Sequence, residues 1–136
     1  MTAGVGVLDA GVVLTRLDRR RRAHPAVVAL FDRSARHGDR LHISVVNLAE
    51  VLHHARDYTE ATGIDPVAVL RACGVAIDSP DIEAARRVAR LASLADTSLA
   101  DRFALATALM RHARLHTTDT TLAGFARRLR VPVTLY

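Results

Sequence analysis

Four carboxylates stand where the chain leaves a strand for a helix, or early in the helix that follows. Asp9 comes directly after the apolar run Val5–Leu8, and Asp119 just after Leu115–Thr117. Glu50 falls about two turns into a helix after Ile43, and Asp101 in the first turn of a helix after Ser98. Parallel α/β sheets build their sites at the carboxyl ends of strands, so these are the positions at which acids would meet a substrate. Glu50 and Asp101 are embedded in Leu48-Ala49-Glu50-Val51-Leu52 and Leu99-Ala100-Asp101-Arg102-Phe103. A carboxylate on a mostly apolar helix face either shares its space with a cation or points outward, because burying a lone charge is costly. Each aspartate also has a plainer reading. Asp9 would cap a helix beginning at Ala10, Asp101 completes the capping-box arrangement Ser98-x-x-Asp101, and Asp119 is a good helix-start residue. Glu50 lies beyond a first turn and has no Arg four residues on, so capping does not account for it.

If the four acids share one pocket, their mutual repulsion would raise some of their pKa values until they protonated. A divalent ion removes that conflict. Hard oxygen ligands select Mg²⁺ or Mn²⁺, ions that are held by a few carboxylates together with water and substrate phosphate. Such a site activates water, neutralises charge on a phosphodiester and, with two ions, clamps both the attacking and the leaving oxygen. No Ser or His nucleophile is required.

Short strands alternating with helices would hold these acids. The pattern predicts strands at Val5–Leu8, Leu41–Ile43, Val75–Ile77, Leu115–Thr117 and Val131–Leu135, the last interrupted by Pro132. Helices are expected over Ala10–Leu17, from Pro25 to Gly38, from Ser44 or Val45 through Arg56, and from Pro66 to Cys73. Further helices are expected from Asp81 to about Leu94, from Thr97 or Ser98 to about His112, and over Thr120–Leu129. This alternation implies an α/β fold with a mainly parallel sheet. With 136 residues and no linker or repeat, the chain reads as a single domain, residues 1–136.

Composition narrows the function classes. Half the residues are hydrophobic and 24% are charged, which excludes disorder. All nineteen basic residues are Arg, giving a formal charge of +5. A high-GC genome accounts for most of that bias, while Arg forks also suit a polyanionic partner. The absence of Lys excludes a Walker A loop, a Schiff-base lysine and a receiver-type phosphorylation site. The single cysteine, Cys73, allows no internal disulfide and fits a reducing compartment. No apolar run is long enough to span a membrane and no signal peptide is evident, so a cytoplasmic protein is expected. Five aromatic residues and no Trp supply a stacking platform poorly. His53-His54 and His112-x3-His116 read as ordinary surface histidines, and Gly4-Val5-Gly6 precedes its strand, which argues against a dinucleotide fingerprint. Arg19-Arg20-Arg21-Arg22 reads first as a solvated run, with contact to RNA phosphate or an acidic partner segment as the alternative.

Four blocks in order, Val7-Leu8-Asp9-Ala10, Ser44-Val45-Val46-Asn47-Leu48-Ala49-Glu50-Val51, Leu99-Ala100-Asp101-Arg102-Phe103-Ala104-Leu105-Ala106-Thr107-Ala108 and Thr117-Thr118-Asp119, resemble PIN-domain ribonucleases. The length and the Asn-Leu-Ala-Glu segment are similar to VapC-type toxins of type II toxin–antitoxin pairs. The resemblance runs from the first strand to the last. It implies a three-layer α/β/α fold with a five-stranded, largely parallel sheet, and Mg²⁺- or Mn²⁺-dependent endonucleolytic cleavage of RNA. By the same resemblance Asp9, Glu50, Asp101 and Asp119 match the acidic quartet that holds metal and activates water, and Thr117 the polar residue that organises it. A VapB-like antitoxin that offers Arg or Lys to the acidic pocket is implied as partner. So is a homodimer, for which residues 26–31 and 45–52 supply apolar stretches. One departure is Gly11, where family members often carry Ser or Thr. Asp96 is a candidate auxiliary acid, with a solvated loop residue as the plainer reading. Two rival readings are a non-toxin enzyme, either an RNA-processing nuclease or a phosphatase, and a non-catalytic PIN-like scaffold. The phosphatase would need a second Asp where Gly11 stands.

Overall fold

The computed structural model describes residues 4–91 and 97–136. Among them the chain alternates β1 (Val5–Leu8), α1 (Ala10–Leu17), α2 (His24–His37), β2 (Arg40–Ser44), α3 (Val45–His54), α4 (Arg56–Thr62), α5 (Pro66–Ala72), β3 (Ala76–Asp78), α6 (Ile82–Arg90), α7 (Leu99–Arg111), β4 (Arg114–Thr117), α8 (Thr120–Arg128) and β5 (Val133–Leu135). The strands form one sheet in the order β3-β2-β1-β4-β5. Every pairing is parallel, with Val7 opposite both His42 and Leu115. The α/β architecture inferred from the alternation is therefore the observed one, and no pair in this sheet is antiparallel.

The sheet is covered on both faces because successive residues of a strand point to opposite sides. Leu8, Leu41 and Ile43 face one layer, where they pack with Val12 and Val13 of α1, Val27, Leu30 and Phe31 of α2, Val51 of α3 and Leu70 of α5. Val7 and Leu115 face the other, against Ala104, Leu105 and Ala108 of α7 and Leu122 and Ala126 of α8. The alanines of α7 let that helix lie close to the sheet. This fixes the height of its first turn over the carboxyl ends of the strands.

Local chemistry sets most element ends. Gly38 terminates α2 in the left-handed region (φ 70°), which costs a glycine little. Asp65 caps α5 ahead of Pro66, and Asp81 caps α6 by accepting from the Ala84 N–H. Several boundaries differ from the sequence reading, four of them for a visible reason. The helix expected through Arg56 ends at His54, and a separate α4 follows that buries no side chain. Its polar run carries no apolar period from which to read it. β3 begins at Ala76 because the Val75 N–H is turned back to the Leu70 carbonyl. Similarly, β5 begins at Val133 because Val131 N–H closes α8 on Ala126 O and Pro132 has no N–H to give. α6 ends at Arg90, short of Leu94, which lies outside the described residues. Among the described residues no helix is long and apolar enough to cross a membrane.

Candidate active site

Asp9 stands at the carboxyl end of β1, the central strand, and is 6% exposed. Its backbone N–H donates to the His116 carbonyl of β4, which ties the turn into the sheet. One carboxylate oxygen accepts from the Ala10 N–H (2.8 Å) and the other from the Thr117 hydroxyl (2.8 Å). Thr117 Oγ1 in turn accepts from the Asp119 N–H at 3.0 Å. One hydroxyl thus couples the ends of β1 and β4 and sets the start of α8. Asp119 caps α8, its Oδ1 taking the N–H groups of Thr121 and Leu122. Asp101 and Ser98 form the capping box of α7, with Asp101 Oδ2 accepting from the Ser98 N–H.

The capping readings and the clustered reading are therefore compatible. Asp101 and Asp119 each commit one oxygen to a helix start, and among the described residues the other makes no hydrogen bond. Glu50, on α3, makes no hydrogen bond and no ion pair among the described residues and stays partly accessible.

Burial pushes the Asp9 carboxyl up from 3.8 to about 6, against the pull of the Thr117 and Ala10 hydrogen bonds, and the charges of Asp101 and Glu50 push it further. Three of the four acids are thus close enough to feel one another. Asp119 is not among the charges that shift Asp9, and it joins the group only through Thr117. Among the described residues, no Arg or His pairs with any of the four. The bay holds repelling carboxylates with no cation of its own.

Those donors fit a hard divalent ion: all are oxygen, negatively charged and uncompensated. They do not form a closed cage, since among the described residues no three His, Cys, Asp or Glu side chains stand close enough to hold one ion. An open arrangement suits Mg²⁺, which keeps several waters and takes only one or two protein carboxylates.

Two further residues shape the bay without having been singled out from the sequence. Asn47, fully buried one turn before Glu50, donates from Nδ2 to the Ala100 carbonyl at 3.0 Å and so joins α3 to α7 beside Asp101. Its Oδ1 is buried without a hydrogen-bond partner. A polar side chain at a core-facing position of α3 was the available signal. Thr118 is the other. A Cβ added at Gly11 would overlap its hydroxyl oxygen, so the space left by the glycine is filled by a hydroxyl from the β4–α8 turn.

Of the remaining candidates, Arg19–Arg22 lie exposed in the turn between α1 and α2, where Arg20 pairs with Asp18 at 3.0 Å. Asp96 lies outside the described residues. His53, His54 and His112 are at the surface, but His116 is 7% exposed, so the surface reading is corrected for it. It is an inward position of β4.

The sequence profile of the PIN domain matches residues 6–128. The chain belongs to the PIN domain family. Within this PIN domain the match runs from β1 through α8 and so includes all four acids. No match was found among curated proteins. Among solved structures, the PIN domain is similar to VapC20 of Mycobacterium tuberculosis, described as a toxin that cleaves the sarcin–ricin loop. That pair has TM-score 0.69 and 12% identity over 88% of this chain and 94% of that one. It is also similar to VapBC2 from Rickettsia felis bound to a promoter DNA fragment, with TM-score 0.69 and 11% identity over 97% and 98%. A third similarity is to FitAcB from Neisseria gonorrhoeae, with TM-score 0.60 and 21% identity over 94% and 95%. At these identities the likeness is one of fold.

Proposed function

We propose that this PIN domain is a metal-dependent endoribonuclease and the toxin of a type II toxin–antitoxin pair, with Asp9, Glu50, Asp101 and Asp119 as its acidic quartet. The observation that carries this reading is the buried Asp9 carboxylate, pressed by Asp101 and Glu50 and left without a cation. Asp9 and Asp101, with Glu50 or Asp119 through water, would hold Mg²⁺ or Mn²⁺. When bound, the ion supplies charge neutralisation for the phosphodiester and lowers the pKa of water.

The chain's own groups divide the remaining work. Thr117 and the Ala10 N–H fix the Asp9 carboxylate so that it binds without swinging. Ser98 does the same for Asp101. Glu50 has no hydrogen bond to break and is the carboxylate free to take the proton of the attacking water. Hydrolysis then joins the water oxygen to phosphorus and breaks one P–O ester bond, and the departing ribose oxygen leaves as a hydroxyl by taking a proton from solvent while Glu50 returns its own to solvent.

One solved structure of similar fold is described as a toxin–antitoxin complex from Klebsiella pneumoniae, and the open acidic bay is of the right charge to receive Arg or Lys from a VapB-like antitoxin. The homodimer belongs to the same reading. The 26–31 stretch is largely spent on the core through Val27, Leu30 and Phe31, whereas Val45 and Leu52 stay exposed on α3 and would supply the interface. Titration with Mn²⁺ tests the site against the scaffold alternative. Glu50→Gln and Asp101→Asn are each expected to weaken Mn²⁺ binding at least about tenfold, roughly 1.4 kcal/mol. Affinity unchanged in both would favour a scaffold whose acids serve only as caps.

A further inference from the structure

At the amino ends of the strands, opposite the acidic bay, a cavity of about 250 Å³ opens between α2 and the sheet. Gly4 and Gly6 form its floor, and Arg33, His37, Arg114 and His116 stand around it. The one acid at its edge, Asp39, already accepts the Gly4 N–H at 2.7 Å. Neither Arg33 nor Arg114 has an ion pair among the described residues, although one Arg114 nitrogen donates to the Val133 carbonyl at 3.2 Å. The cavity is therefore positive on balance.

The buried histidine shows what the cavity is shaped to receive. The charges of Arg33 and Arg114 both reach the Tyr136 hydroxyl. His116 Nδ1 lies 2.9 Å from that hydroxyl, within hydrogen-bond reach. In the tautomer whose Nδ1 accepts the phenolic proton, Nε2 carries the imidazole N–H. Nε2 lies over Gly6, in space where a Cβ would come within 2.9 Å of it. It makes no hydrogen bond to any described residue. An N–H facing the cavity, on a side chain that is 7% exposed and beside two guanidinium groups with no ion pair among the described residues, suits an acceptor with negative charge.

We propose that this cavity binds a single phosphate group, held by the guanidinium groups of Arg33 and Arg114 and the Nε2–H of His116. Size supports a group of this class. The volume is several times the ~30 Å³ a water occupies in the liquid and falls short of the roughly 300–1,000 Å³ of pockets for larger ligands. The present state of the site is one of unrelieved repulsion. Burial, with Arg114 and Arg33 adding to it, pushes His116 down from 6.5 to about 4. An anion between these groups would reverse the latter two contributions.

Binding is read without reference to nuclease activity. Inorganic phosphate is titrated at pH 7 and constant ionic strength while the imidazole ¹H and ¹⁵N signals of His116 are followed. Saturable shifts of His116 are expected, with a rise in its pKa at saturation. Arg33→Gln and Arg114→Gln, both at exposed positions, should each weaken binding about tenfold or more. Arg71→Gln, on exposed α5 surface away from the cavity, should leave it unchanged. A nucleoside 5′-monophosphate binding as tightly as inorganic phosphate would show that only the phosphate is read. Tighter binding would show that a nucleotide's terminal phosphate is the better occupant. Shifts that chloride reproduces, or affinities untouched in both arginine variants of verified fold, would overturn the proposal.

Discussion

Asp9 is held in opposition: two short hydrogen bonds favour its charge while burial and two neighbouring carboxylates disfavour it. Removing Thr117's hydroxyl takes away the only side chain among the described residues that hydrogen-bonds to it. Thr117→Val should lower RNA cleavage by about 10²-fold, in the range for lost preorganisation, and raise the Asp9 pKa above about 6, measured by carboxyl ¹³C NMR. Cleavage at the wild-type rate would show that Thr117 organises nothing. At the neighbouring turn, Gly11→Ala should destabilise the fold by roughly 1–3 kcal/mol through overpacking against Thr118. Thr118→Ala in the same chain should restore most of it, since the added Cβ would then meet only the Thr118 Cβ at 3.4 Å. Urea denaturation of the four proteins reads the cycle, and strictly additive effects would contradict the contact. The placement of Asp9 and Asp119 after strands was legible in the sequence because it is a local fact. The exchange of space between Gly11 and Thr118, more than a hundred residues apart, was not.

The site depends on how α3 and α7 meet, and Asn47 is the polar joint between them. Asn47→Ala should cost about 1–3 kcal/mol, as expected for a buried hydrogen bond left half made. It should also weaken Mn²⁺ binding by the folded variant, because the Ala100 carbonyl it holds precedes Asp101. If Mn²⁺ affinity stays at the wild-type value, the residue supports the fold alone. Elements with a chemical punctuation mark were readable from the chain: Pro25 and Gly38 bound α2, and Ser98 with Asp101 opens α7. α4 was not, because it buries no side chain and so carries no apolar period. The shifted starts of β3 and β5 arise from backbone N–H groups turned back onto the preceding helices, which side-chain patterns do not encode. His116 was misjudged for a related reason. Pairing it with His112 hid its place on β4, where it faces inward beneath α2.

Across the whole molecule, two buried groups on the neighbouring strands β1 and β4 pull stability in opposite directions with pH. Asp9, raised from 3.8 to about 6, makes folding weaker as pH climbs through that window, because the folded state holds the proton more tightly. His116, lowered from 6.5 to about 4, makes folding stronger over nearly the same window, because there the unfolded state holds the extra proton. Each effect is on the order of 3 kcal/mol at about 1.4 kcal/mol per pH unit, so the two nearly cancel between pH 4 and 6. In EDTA, Asp9→Asn should expose the histidine alone, with stability rising steeply from pH 4 to 6.5 while the wild-type profile stays flat there. Parallel profiles would show that Asp9 does not carry the raised pKa. The same uncompensated carboxylate is what the proposed nuclease uses, and its activity is the most direct test. Purified protein, free of antitoxin, is incubated with total RNA in Mg²⁺, Mn²⁺ or EDTA beside Asp9→Asn and Asp101→Asn proteins prepared identically. The account predicts discrete fragments that require metal and vanish in both variants. Equal background in every lane, from protein shown to be folded, would contradict it.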